Sequence, residues 1–295
     1  MADRTTGTVT AALAGTIDIG GDMPVNRFGF GAMRITGEGI WGEPADREEC
    51  KRVLRRALEL GINFIDTADS YGPEVSELLI AETLYPYPEE LVIATKGGLT
   101  RPGPGQWEPD GRPAHLRAAL EGSLKRLRVD QIDLYQFHRP DPKVPFEESV
   151  GALVELKNEG KIRHIGLSNV TTAHVEQAQK LTRIVSVQNR YSVYERSSEP
   201  VLEFCSLEEI AFLPWRPMEG GALAAAGVVA ETARRHSATP AQVALAWLLE
   251  HSPVMLPIPG TSKVEHLEAN LGAVALDLAP SEFAELDQIA PEPTH

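Results

Sequence analysis

The feature that most constrains this chain is an alternation. Apolar runs of strand length are followed, eight times over, by segments whose apolar residues recur at helical spacing. After an opening stretch V-N-R-F-G-F-G, strands are predicted over 62–66, 91–95, 132–138, 164–168, 185–188, 211–215 and 254–258. The first predicted helix carries Val53, Leu54, Ala57 and Leu58, is capped at or near Asp46 and ends at Gly61. Others follow over 75–84, 114–127, 146–158, 173–181, 200–206, 223–235, 240–250 and 263–271.

Such alternation calls for helices packed over a sheet, so the fold class is α/β. At 295 residues, with near-equal unit spacing and no Pro/Gly/Ser-rich linker between halves, a closed (β/α)8 TIM barrel is favoured over a doubly wound open sheet. Ahead of it, T-I-D-I, a G-G-D-M-P turn and V-N-R-F predict a β-hairpin. Residues 1–14 are expected to be a flexible, exposed tail, and 15–295 one barrel domain.

Composition removes several classes of function. Acidic residues outnumber basic ones 42 to 28, a net charge of -14, and no Lys/Arg cluster would track a phosphate backbone, so nucleic acid is not an expected partner. Cys50 and Cys205 stand far apart, without CxxC or zinc-type spacing, and are expected to be reduced structural thiols; no metal site is expected. The opening residues break the pattern of a signal peptide with Asp3, Thr and Gly, and no apolar run reaches membrane-spanning length. The cytoplasm is the expected compartment.

A barrel of this kind carries its chemistry at the C-terminal ends of its strands. There the sequence supplies Asp66 with Tyr71 just beyond it, then Thr95-Lys96-Gly97, Phe137-His138-Arg139, Ser168-Asn169, Gln188-Asn189 and Trp215-Arg216. Each alone has an ordinary role: a capping Asp, a solvated Lys, a satisfied His. Their convergence on one rim is what points to a site. A phenol, with a usual pKa near 10, becomes a better proton donor beside a lysine ammonium that a carboxylate holds in place, and a histidine can donate a hydrogen bond to a developing oxyanion. Asp, Tyr, Lys and His together suit proton delivery to a carbonyl oxygen.

Motifs along nearly the whole chain carry a family resemblance. They are G-F-G-A-M, N-F-I-D-T-A-D-S-Y-G, I-A-T-K-G-G, D-L-Y-Q-F-H-R-P-D, K-I-R-H-I-G-L-S-N-V, S-V-Q-N-R-Y-S, L-P-W-R-P-M and P-I-P-G-T-S-K-V-E-H-L-E-A-N-L. In that order they resemble the aldo-keto reductase superfamily. The resemblance implies an NADPH-dependent reductase of aldehydes or ketones whose catalytic tetrad is Asp66, Tyr71, Lys96 and His138. Tyr71 would be the general acid, Lys96 and Asp66 would tune it, and His138 would orient the carbonyl. Asp69 is left as a turn or capping residue. An NADPH-binding sensor or regulatory subunit with negligible turnover is the alternative. A small-molecule carbonyl compound is the expected partner, and the resemblance favours a monomer.

The same resemblance implies NADP contacts. Gly31, Ala32 and Met33 fall beside the first strand; Ser168, Asn169 and Gln188 match bonds to the carboxamide, and Trp215 an aromatic that stacks on nicotinamide. Arg216, Pro217, Met218 and Gly220 should pass the pyrophosphate. Thr261, Ser262 and Lys263, at a helix N-terminus, should hold a 2'-phosphate, with His266 and Asn270 among the contacts at the adenine end. Two positions depart from the family pattern: His266 where many members have arginine, and Ala269 where glutamate is frequent.

Gly37–Gly42 also satisfies G-x-G-x-x-G, but the helix starts only after Pro44 and Ala45, so no glycine packs at a helix start as a dinucleotide fingerprint needs. A substrate loop tipped by Trp41 is the better reading, and 99–113, with Trp107, reads as a lid or pocket wall. Trp41 and Trp107 are candidates to line an apolar substrate pocket; anchoring their loops is the alternative.

Overall fold

The computed structural model describes residues 9–219 and 227–289. A β-hairpin leads, β1 (Thr16–Ile19) pairing antiparallel with β2 (Met23–Asn26). Seven parallel strands then form one sheet in chain order: β3 (Phe30–Gly31), β4 (Phe64–Asp66), β5 (Val92–Gly97), β8 (Ile132–Phe137), β9 (Ile162–Ser168), β10 (Ile184–Gln188) and β11 (Ala211–Phe212). Between β5 and β8 a small antiparallel pair, β6 (Leu99–Thr100) and β7 (Glu108–Pro109), is added.

Helices fill the connections: α1 (Arg47–Glu59), α2 (Val75–Leu84), α3 (Pro113–Leu127), α4 (Phe146–Asn158), α5 (Thr172–Gln179) and α6 (Glu199–Leu207). After β11 come α7 (Val228–Arg235), α8 (Pro240–His251), α9 (Val264–Leu271) and α10 (Pro280–Asp287). The expected cap of α1 is present, the Asp46 carboxylate accepting the Glu49 amide. The helix α10 has no counterpart in the sequence reading.

The expected strand over 254–258 is not a regular strand. Its backbone nevertheless bonds to both edges of the sheet: Phe212 N–H donates to Val254 O and Leu256 N–H to Phe212 O, while Gly29 and Gly31 N–H donate to Pro257 O and Pro259 O. Prolines at 253, 257 and 259 explain the irregularity, since each lacks an N–H to give to a ladder. The predicted tail also differs. In its described part, Ala11–Ala14 form a 3-10 turn, Ala11 is buried, and its N–H donates to Leu60 O, because a small apolar side chain fits under the end of α1. Residues 1–8 and the first part of the predicted helix over 223–235 lie outside the described residues.

Strand alternation divides the core. Ile65, Ile93 and Tyr135 pack in the larger cluster with the helices, whereas Phe64, Val92, Ala94 and Leu134 form an inner cluster with Ile19, Met23 and Val25 of the hairpin. The hairpin thus covers the end of the sheet where its strands begin. Two residues further along the inner face, the apolar series gives way to Asp66, Lys96 and Gln136. Among the described residues, no helix is long and apolar enough to cross a membrane.

Candidate active site

Where the inner series turns polar, Lys96 becomes fully buried. Such a cation needs every N–H matched. It has three, and three acceptors lie in range: Asp66 Oδ2 at 2.6 Å, Thr67 O at 2.9 Å and the Tyr71 hydroxyl oxygen at 3.2 Å. Asp66 is satisfied from the other side, its Oδ1 accepting from Gln136 Nε2 at 3.0 Å and Gln188 Nε2 at 2.8 Å. Tyr71 arrives from the loop after β4. Its turn closes with Tyr71 N–H donating to Ala68 O, and Gly72 follows at φ 107, where an added Cβ would lie 2.4 Å from Val75 Cβ. His138, one residue past β8, stands edge-on to the Tyr71 ring with centroids 5.9 Å apart, and its Nδ1 is 3.4 Å from Ser70 Oγ.

The electrostatics correct one expectation. Lys96 should lower the pKa of Tyr71, yet the net shift is upward: burial of the phenol is the largest effect, Lys96 opposes it, and Asp66 adds to the upward push. For Lys96, burial alone would favour the neutral amine, but Asp66 and Tyr71 outweigh it and hold the ammonium above its ordinary pKa. His138 is driven well below the usual imidazole value, first by burial and then by the charges of Lys96, Arg139 and Arg101, so it is neutral at neutral pH. Half-buried Asp69 has its carboxyl held well above the usual range, first because that group is enclosed and then through neighbouring Glu77. Its backbone closes the turn, accepting from Glu74 N–H and donating to Lys96 O.

Two adjoining pockets open onto the tetrad. One is lined by Gly31, Met33, Arg34, Asp66, Tyr71, Gln188, Trp215, Arg216, Pro217, Met218, Ile258 and Gly260. The other adds Leu99, Trp107, His138, Arg139, Ser168 and Asn169. Most of the sequence-predicted residues line this concavity, but Lys96, which lies behind Tyr71 and Asp66, and Thr261, Ser262, Lys263, His266 and Asn270 line neither pocket, and there are further exceptions. Ala32 is buried beneath it, its carbonyl accepting from Ser76 Oγ. Trp41 lines neither pocket: its ring lies 5.6 Å from the Arg101 guanidinium, and its backbone bridges Gly72. Loop anchoring, the alternative for Trp41, is what the geometry gives. Gly220 lies outside the described residues.

Several contacts fell outside the sequence reading. Gln136 was signalled by one polar side chain inside I-D-L-Y-Q-F, while Arg34 and Arg101 had no sequence mark. Asn169 sits at φ 58 and is already occupied, its Nδ2 donating to His138 O at 3.0 Å and its Oδ1 accepting from Trp215 Nε1 at 3.2 Å. At the start of α9, the Val264 N–H is taken by the Glu49 carboxylate at 3.0 Å. Lys263 and Thr261 adjoin that helix end, and His266 is exposed beside Glu265. Both cysteines are buried free thiols, and no cluster suited to a metal ion occurs among the described residues.

The sequence profile described as the aldo/keto reductase family matches residues 27–291. The chain belongs to that family. Among curated proteins, this aldo/keto reductase family member is 53% identical over 281 residues to an uncharacterized oxidoreductase of Schizosaccharomyces pombe, covering 95% of this chain and 91% of the relative. It is 41% identical over 278 residues to pyridoxine 4-dehydrogenase of Escherichia coli, covering 92% and 97% of the two chains. Among solved structures, an aldo-keto reductase from Klebsiella pneumoniae in complex with NADPH superposes with a TM-score of 0.79 at 27% identity, over 95% of this chain and 96% of that one.

Proposed function

We propose that this family member reduces aldehyde or ketone carbonyls to alcohols with NADPH, using Tyr71 as the general acid on a single closed (β/α)8 barrel. Closure is supported by the bonds that 254–259 makes to both edges of the parallel sheet.

The observation that carries the chemistry is the direction of the Lys96 bond. The ammonium donates to the phenol oxygen of Tyr71 at 3.2 Å, which leaves the phenol proton free for a substrate oxygen in the pocket. Once that proton leaves, the same ammonium stabilises the phenolate. Neutral His138, with Nδ1 toward Ser70, can carry its proton on Nε2 and donate to the same oxygen. Asp66 keeps Lys96 charged, and the two glutamines keep Asp66 aimed.

NADPH supplies the hydride when bound, and the residues present fit it. Arg34 and Arg216 are exposed on the first pocket, and neither is paired with a carboxylate among the described residues, so their charge is open to a pyrophosphate. Trp215 offers a ring beside the tetrad for the nicotinamide, with Ser168, Asn169 and Gln188 on the same rim. Gly31, Met33, Pro217 and Met218 also line that pocket, and the adenine end is assigned beyond Gly260 to Thr261, Ser262, Lys263, His266 and Asn270, at and along the helix that starts at Val264. The NADPH-bound relative supports the assignment.

The test is NADPH oxidation with a panel of aliphatic and aromatic aldehydes, with pyridoxine and NADP+ added for the reverse direction because of the 41% relative. Tyr71→Phe should bind NADPH as tightly as the native chain and lose at least about 100-fold in kcat. Full activity in Tyr71→Phe would remove Tyr71 from its role; NADPH binding without turnover by the native chain would favour a sensor.

A further inference from the structure

Arg101, at the end of β6, is a cation held without a carboxylate among the described residues. Its guanidinium donates to four backbone carbonyls drawn from three stretches of chain. Nε reaches Gln106 O at 2.8 Å, Nη1 reaches Ile40 O and Ser70 O at 2.9 Å each, and Nη2 reaches Gly39 O at 3.0 Å. Those acceptors belong to the loop bearing Trp41, the loop that delivers Tyr71, and the loop bearing Trp107. The Cζ of the same group lies over the Trp107 ring, 3.6 Å from its centroid. A planar fork with five donors can make this set of contacts; an ammonium with three cannot.

Trp107 in turn stands edge-on to both Tyr71 and His138, with centroids 6.3 and 6.4 Å away. With Leu99, Met33 and Trp215 it forms the apolar lining of the substrate-side pocket. A Trp on a Gly/Pro-rich loop has many orientations available, and a wall that wanders cannot hold a flat substrate near Tyr71.

We propose that Arg101 is a positioning residue: it clamps the three loops together and stacks behind Trp107, so that Trp107 presents an apolar wall that selects planar aromatic carbonyl compounds over small aliphatic ones. The proposal rests on the carbonyl-reductase reading above and gives that site its substrate class. Small aldehydes touch little of the wall and depend on Tyr71 and His138 alone, whereas aromatic substrates draw their binding from Trp107.

The experiment compares the native chain, Arg101→Met, Arg101→Lys and Trp107→Leu. NADPH affinity, read by fluorescence, should be unchanged, since Arg101 lines neither cofactor nor substrate pocket directly. With benzaldehyde, Arg101→Met should lose roughly tenfold in kcat/KM, mainly through KM, as expected for a lost cation–π stack and a displaced wall. With propanal the loss should be smaller by roughly threefold or more, since it does not reach the Trp107 wall but still feels any shift of the loop that Arg101 holds through Ser70 O. Trp107→Leu should reproduce that selectivity loss, Arg101→Lys should fall between native and Arg101→Met, and added methylguanidinium should restore part of the benzaldehyde rate to Arg101→Met. Equal losses with both aldehydes, or no loss, would overturn the proposal. Binding of unreactive benzamide to the NADPH complex is titrated in parallel. If the native chain turns over no carbonyl, the functional reading fails, and the benzamide titration still decides Arg101: weakened binding in Arg101→Met supports the clamp, and unchanged binding refutes it.

Discussion

Lys96 and Asp66 face each other across adjacent strands with 2.6 Å between Nζ and Oδ2, both buried. A buried pair of this kind is held together less by net attraction than by the cost of leaving either charge alone. Lys96→Met would strand a carboxylate that two glutamine amides cannot neutralise.

Urea unfolding should therefore show Lys96→Met destabilised by about 3–5 kcal/mol, while the double variant Asp66→Leu/Lys96→Met recovers much of that loss. Both should be inactive as reductases. A double variant no more stable than Lys96→Met would show that packing, not the stranded charge, sets the cost.

The pKa shifts at the site give opposite pH limbs. Tyr71 is raised above its ordinary value, so in the native state it stays protonated when an unfolded tyrosine would ionise; its stabilising contribution is complete below about pH 10 and is lost as pH rises beyond that. The kcat/KM for carbonyl reduction should accordingly show no falling alkaline limb until above about pH 10. His138 is depressed, so its contribution is present above about pH 6.5 and is lost as pH falls below it, where the unfolded chain takes up a proton that the native site refuses. His138→Asn should flatten the acid side of the stability curve measured by chemical denaturation between pH 7 and 5.

Glu49 occupies the end of α9 where a 2'-phosphate is expected, accepting the Val264 N–H at 3.0 Å and pairing with Arg52 at 2.6 Å. Its pKa is lowered, first by that backbone bond. A second anion at the same helix end meets a like charge. Glu49→Gln should tighten NADPH about two- to fivefold, the size of a charge effect at a helix terminus, and leave NADH unchanged. Equal tightening of both cofactors would place the 2'-phosphate elsewhere.

Much of this was legible without coordinates. The helix over 146–158 and the ends of the strands carrying Asp66 and Ser168 were readable, because apolar periodicity and capping are local. The segment 254–258 was not, because prolines let it bond to two neighbouring strands without a regular ladder of its own. Trp41 and Trp107 looked alike in sequence, each a tryptophan on a Gly-rich loop. Only the folded chain separates them: both rings lie against Arg101, but Trp107 alone also stands against Tyr71 and His138. Gln136 was a single polar letter in an apolar strand until the register set it beside Asp66.

By itself the sequence determined the α/β alternation, the family motifs and the four residues that meet at the strand ends, since strand period and chain order dictate which side chains share a rim. Tertiary structure decided what distance and burial control: that the phenol's pKa rises rather than falls, that Lys96 spends all three protons on three acceptors, and that Arg101 joins three loops. Those depend on the balance between desolvation and contact among residues tens of positions apart, which no local pattern records.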